Sequence, residues 1–233
     1  VVVLDRRTVD HDGRTYPLTL RCNPRARRLI LRIDSGGEGA VVTLPRGVAI
    51  AEALAFAHAK RDWIARRLDA VPARVPFADG ARVALMGRCA TIRHEGSGRG
   101  AVRLAGDEIC VRGAPARLSA LVTGWLKCEA RRAILARVDT ACRRLGKPAG
   151  RVALRDPRTR WGSCAANGNL SFSWRLIMAP AFVLDYVVAH EVAHLAVANH
   201  GAGFWRIVES LGVDVGAARD WLGVHGRGLH RFG

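Results

Sequence analysis

The chain of 233 residues lacks several features that would restrict its class. No run of eighteen apolar residues occurs, which excludes a membrane-spanning helix of ordinary length. The most apolar stretch, Leu176 to Leu195, is interrupted by Pro180, Asp185, His190 and Glu191. The opening Val1-Val2-Val3-Leu4 is too short for the core of a secretory leader and has no basic residue before it, so a soluble, cytoplasmic protein is expected. Six cysteines (22, 89, 110, 128, 142 and 164) are scattered without a C-x-x-C pair, which argues against a disulfide scaffold and against a cysteine-built zinc site. Low-complexity tracts are absent, and nothing resembles a Walker A loop. Lysine is scarce too, with only Lys60, Lys127 and Lys147, so the formal charge of +17 is carried mostly by arginine. That excess has two readings: a surface for nucleic acid or nucleotides, or the imprint of a GC-rich coding genome.

The hydropathy pattern alternates between strand and helix periods. Residues 15–20, 29–33 and 40–44 predict a small antiparallel meander, with Asp34-Ser35-Gly36-Gly37 as one of its turns. A helix follows over Ala51 to Leu68, with Leu54, Ala57, Ile64 and Leu68 on one face, and then an extended connector from Val71 to Pro76. Short strands are expected over 82–86, 90–93, 102–104 and 108–111. A long helix from Pro115 to Leu145 carries Leu118, Leu121, Trp125, Cys128, Leu135, Val138, Cys142 and Leu145 at three- and four-residue steps, and Gly146 stops it. Its other faces are basic. Strands over 152–155 and near 161–164 precede an Asn167-Gly168 turn and a returning strand over 170–174. Pro180 opens a helix that runs to about Ala198, and shorter helices follow over 202–211 and 217–224. No internal repeat is visible.

The chemistry concentrates in His190-Glu191-Val192-Ala193-His194, an H-E-x-x-H motif. Residues four apart on a helix lie one above the other, so both imidazoles face the same space and can share one Zn²⁺. Glu191, at a neighbouring azimuth, can serve as general base to a water that the metal activates. A catalytic zinc takes three protein ligands and keeps the fourth position for water, and His200 is the expected third. To bring it round, the chain must turn, with Asn199 in left-handed geometry. The spacing equals that of metzincins, but Val197 stands where they have glycine, and no Met-turn follows. Two histidines and a glutamate on a helix that is apolar nearly all round are costly unless they share a partner, and a metal supplies one. Asp185, Glu209 and Asp214 are candidates to steady the histidines. His11, His58 and His94 read as surface residues, His225 and His230 as part of a solvated tail, and Cys164 as structural.

With those residues in place, the chain resembles a known family. Asp156-Pro157-Arg158-Thr159-Arg160-Trp161-Gly162-Ser163-Cys164, Leu176, Pro180, Tyr186 to Leu195, Asn199-His200 and Phe204-Trp205 are similar to the YgjP-type metal-dependent hydrolases, relatives of SprT-like and WLM metallopeptidases. The likeness is closest over 150–211. Val192 replaces the usual Leu, and Gly201 a frequent Ser. The strand and helix periods predict an α+β protein with a β-rich N-terminal region and one helix over 1–113, and the resemblance implies a zincin-like hydrolase domain over 114–233. It also implies His190, His194 and His200 as ligands and Glu191 as base.

The function expected is hydrolysis of peptide bonds in a peptide or protein substrate. The substrate would lie along a strand rim near Arg160, Trp161 and Gly162, with Arg158, Arg160 or Arg175 beside the developing oxyanion. Hydrolysis of a nucleotide phosphoanhydride and a non-enzymatic, nucleic-acid-associated zinc protein stand as alternatives.

Overall fold

Two strands, β1 (Val2–His11) and β2 (Arg14–Cys22), pair antiparallel across a two-residue turn in which Asp12 and Gly13 have φ of 48° and 74°. Positive φ at both positions is the turn that matches strand twist, and Asp-Gly is a preferred pair for it. β3 (Ile30–Ile33) and β4 (Ala40–Leu44) form a second hairpin. The expected antiparallel meander is corrected here, because β2 and β4 pair in parallel and give the order β1-β2-β4-β3. Every residue of β4 is buried, as suits a strand covered on both faces in the middle of a sheet. The expected single helix is two, α1 (Ile50–Ala59) and α2 (Arg61–Asp69), separated at Lys60. Ala53, Ala57, Ile64 and Leu68 share a core with Leu18, Leu20, Val42 and Leu44. The computed structural model describes residues 2–34, 37–70 and 74–233, so Ser35-Gly36 of one expected turn and Val71–Ala73 of the connector lie outside it.

The same wiring recurs. β5 (Arg82–Leu85), β6 (Arg88–His94), β7 (Ala101–Ala105) and β8 (Glu108–Arg112) are ordered β5-β6-β8-β7, again with antiparallel hairpins joined through parallel inner strands. The first turn again has positive φ at both residues, Met86 (51°) and Gly87 (82°). The architecture therefore contains a repeat that side chains conceal. The compact units divide as Val1–Ala73 and Arg74–Gly233. The reason is packing: Ile92, Ile109 and Val111 belong to one core with Val122, Leu126 and Phe172.

α3 (Leu118–Leu145) follows a 3₁₀ turn over Pro115–Arg117 and ends at Gly146, whose φ of 70° is the left-handed cap. Its buried row is Leu118, Val122, Leu126, Ala130, Ile134, Val138 and Ala141. Of the stripe expected from the sequence, Leu118 and Val138 lie in this row and Leu121, Trp125, Cys142 and Leu145 pack at its margin, whereas Cys128 and Leu135 are exposed. The row advances by four residues from Leu118 to Val138 and by three to Ala141, and its alanines contribute little to a pattern of large apolar residues. β9 (Val152–Arg155), β10 (Gly162–Cys164) and β11 (Leu170–Ser173) form a three-stranded sheet ordered β10-β11-β9, with Gly168 (φ 77°) in the turn between β10 and β11. A buried 3₁₀ segment, Trp174–Met178, leads to α4 (Ala181–Ala193), which packs on α3. α5 (Ala202–Ser210), α6 (Val215–His225) and a 3₁₀ helix over Gly226–Arg231 complete the unit. The fold is mixed α+β, and no helix among the described residues is long and apolar enough to cross a membrane.

Candidate metal centre

α4 is buried almost throughout because Val183, Leu184, Val187, Val188 and Val192 surround its axis with apolar contact. It ends earlier than expected, at Ala193, with His194 as its cap residue. The chain then tightens, Leu195 N–H donating to the Val192 carbonyl (3.0 Å) and Ala196 N–H to Ala193 (3.0 Å). This short exit brings His200 back towards the helix. Asn199 does so without left-handed geometry, since Asp12 and Met86 are the positive-φ non-glycine residues among those described. Its side chain instead accepts from Gly201 N–H (3.2 Å), and Gly201 opens α5.

His190, His194 and His200 come together, and one nitrogen from each lies within 4.8 Å of the others. The Nε2 atoms of His190 and His200 are 3.1 Å apart. Two nitrogens sharing a tetrahedral ion at its usual bond length lie about 3.3 Å apart, so this pair is already close to ligand spacing. The Nδ1 of His194 lies 3.1 Å from the Val197 carbonyl. A carbonyl can only accept, so that nitrogen carries the proton and Nε2 is left as the electron-pair donor. Burial, followed by the charges of His194, His200 and Arg219, pushes His190 down to about 4, which keeps its ring neutral. Its Nδ1 is buried and has no hydrogen-bond partner among the described residues. Phe204, itself fully buried, lies under all three rings at centroid distances of 4.9, 4.5 and 4.7 Å. The donor set fits a metal ion.

Glu191, next to His190 in the chain, is buried, and burial pushes its carboxyl up to about 7 against the opposing pull of Arg160 and of a hydrogen bond from Cys164 N–H. Gly162 makes that position available. A Cβ on Gly162 would stand 2.6 Å from both Cγ and Oε1 of Glu191. Trp161 is held from the far side, stacked on His230 at 5.1 Å and abutted by Gly226. The segment expected to be a solvated tail is therefore folded, with Leu229 buried.

Arg175 occupies a different place from the one expected for a substrate group. It is buried, bonds Asp156 through two nitrogens (2.7 and 3.1 Å), and donates to the carbonyls of Leu229 (3.1 Å) and Phe232 (2.7 Å). Those contacts hold the C-terminal turn. Asp185 pairs with Arg137 (2.5 Å) and Asp214 caps α6 through Ala217 N–H (2.9 Å), and among the described residues no hydrogen bond links Asp185, Asp214 or Glu209 to a histidine. The residue that sequence reasoning missed is Arg219 on α6, placed 5.6 Å over the Trp205 ring and felt electrostatically by His190 and Tyr186. Nothing local in its segment marks it, because only the packing of α6 on α4 brings it here. Cys164, whose thiol is raised by burial and then by Glu191, has none of the character of a nucleophile.

A buried carboxylate next to three clustered histidines is a set of groups of the kind that metal-dependent hydrolases use. Residues 27–225 match the family model described as YgjP-like, metallopeptidase domain, and the chain belongs to that family. Comparison with curated proteins and with solved structures returned no match.

Proposed function

We propose that the protein is a zinc-dependent peptidase, with His190, His194 and His200 as the three ligands and Glu191 as the general base. The observation that carries this reading is the pairing of the three-histidine cluster with a buried carboxylate that β10 accommodates only because residue 162 is glycine. When bound, zinc supplies Lewis acidity, polarising a carbonyl and easing deprotonation of water. Glu191 receives that proton at a carboxylate oxygen and returns it to the leaving amine, while Cys164 N–H keeps the carboxylate aimed. The carbonyl of Val197 fixes the His194 ring.

β10 is an edge strand, and its hydrogen bonds define the open side. Trp161 O accepts from Ser173 N–H (2.8 Å) and Ala165 N–H donates to Asn169 O (2.8 Å), so the backbone groups of Gly162 and Cys164 face away from β11. An extended peptide pairing at Gly162 would lie beside Glu191, with Arg160 and Arg219 flanking it. The zincin-like reading of the α3, three-stranded sheet and α4 assembly rests on this arrangement.

The test is to incubate zinc-loaded protein with unfolded casein and, separately, with nucleoside triphosphates, each with and without chelator. Chelator-sensitive cleavage of casein alone is expected; cleavage of triphosphates alone would replace the peptidase reading. Replacing His200 by alanine is expected to weaken zinc binding by more than about 100-fold, beyond the loss typical of groups that merely orient a ligand. Competition with a chromogenic chelator measures it, and unchanged affinity would remove His200 from the ligand set. Gly162→Ala is expected to lower turnover by about 10- to 100-fold with zinc retained, because it displaces Glu191 without touching a ligand. Unaltered turnover would show that the base tolerates displacement.

A further inference from the structure

The opposite edge of the three-stranded sheet carries a second open strand. Leu170 N–H donates to Arg151 O (2.9 Å), which in this parallel register puts the backbone groups of Arg151, Ala153 and Arg155 on the β11 side. Those of Val152 and Leu154 face outward, and no backbone group among the described residues pairs with them. An unpaired edge is a template for another strand unless it is blocked. This one is not blocked: a groove of about 500 Å³ runs along it, walled by Gly150 to Arg155 on one side and by Arg131 and Leu135 of α3 on the other. A second depression, of about 530 Å³, continues it from Leu135 along α3 to Cys142 and Pro148.

The chemistry of the walls selects the occupant. Among the described residues Arg131, Arg151 and Arg155 have no ion-pair partner, whereas Arg132, Arg137 and Arg143 of the same region each hold a carboxylate. Three uncommitted guanidiniums beside free N–H and C=O groups match a chain that offers both a peptide backbone and carboxylates. Exposed Leu135 adds an apolar contact for alternate side chains. We infer that this groove is a docking site for an extended acidic peptide segment, which adds as a strand to β9 and pairs its carboxylates with Arg131, Arg151 and Arg155. The site lies on the other sheet edge from Gly162 and Glu191 and does not depend on the metal chemistry. It would hold an acidic protein segment while β10 remains free.

The test uses the full chain and a fluorescein-labelled octapeptide of alternating glutamate and valine, followed by anisotropy. Three comparisons accompany it: the peptide methylated on alternate backbone nitrogens, a lysine–valine counterpart, and a single-stranded oligonucleotide as competitor. Saturable binding of the acidic peptide is expected, weakened at least about tenfold by backbone methylation and by the R131E/R151E/R155E variant, because both pairing and charge contribute. Hydrogen exchange should slow at the amides of Val152 and Leu154. Equal binding of the methylated peptide, displacement by the oligonucleotide, or protection at Gly162 in place of Val152 would each overturn the proposal. A folded R131E/R151E/R155E variant that binds with unchanged affinity would do the same. These substitutions lie on exposed side chains, and circular dichroism confirms folding before binding is read.

Discussion

Replacing Glu191 by glutamine is expected to cut hydrolysis about 10³-fold, within the range that a positioned general base contributes. Glutamine keeps the volume in a buried position and its amide oxygen still accepts from Cys164 N–H, so packing should survive. What is lost is the ability to take a proton. Zinc content, read by elemental analysis, should stay at one ion, and the melting temperature should not fall. This combination separates a base from a ligand: losing a ligand reduces metal content and activity together. Activity within tenfold of the wild type would remove Glu191 from the chemistry and leave the three histidines as a binding site in need of another base.

The second large effect is on stability. Arg175→Met should destabilise the unit formed by Arg74–Gly233 by about 2–4 kcal/mol, the scale for removing one partner from a buried charged network. The upper half of that range is tempered by solvent, since the Asp156 side chain is 45% exposed. The larger contribution comes from the carbonyls of Leu229 and Phe232, which lose a buried donor. For a unit of this size the melting temperature should fall by about 6–12 °C.

The pH dependence follows from the partner. Burial alone would raise the Asp156 carboxyl, but the Arg175 hydrogen bonds and charge outweigh it and hold the group below the usual range. A depressed carboxyl contributes stability above its unfolded value of about 3.9 and loses it as pH falls through the folded value. The gap between wild type and Arg175→Met should therefore narrow in acid. Calorimetry from pH 7 to pH 3 checks it. A variant that melts normally yet loses turnover would instead return Arg175 to the substrate face.

The site was legible where chemistry is local. The H-E-x-x-H spacing names its own geometry, and the six-residue step to His200 requires a turn that the chain does make. Arg175 and Arg219 were illegible because their roles depend on partners far along the chain, at Leu229 and Phe232 for one and at His190 for the other. The fold divides along the same line. Strand and helix periods appear in the sequence, but the parallel pairing of β2 with β4 and of β6 with β8 leaves no local mark. On α3 the buried row shares Leu118 and Val138 with the expected stripe, but it also runs through Ala130 and Ala141, which add little to a hydropathy pattern.

The two alike-wired sheets differ at one corresponding point, and that difference is practical. A Cβ on Gly87 would approach Pro180 to 3.3 Å, and Met86 N–H donates to the Ile177 carbonyl (2.8 Å), so that turn is wedged under the start of α4. Its counterpart has nothing among the described residues within 4 Å of a Cβ on Gly13. A fluorophore or epitope grafted at residues 12–13 would therefore report on the protein silently, whereas the same graft at 86–87 would push on the helix that carries His190.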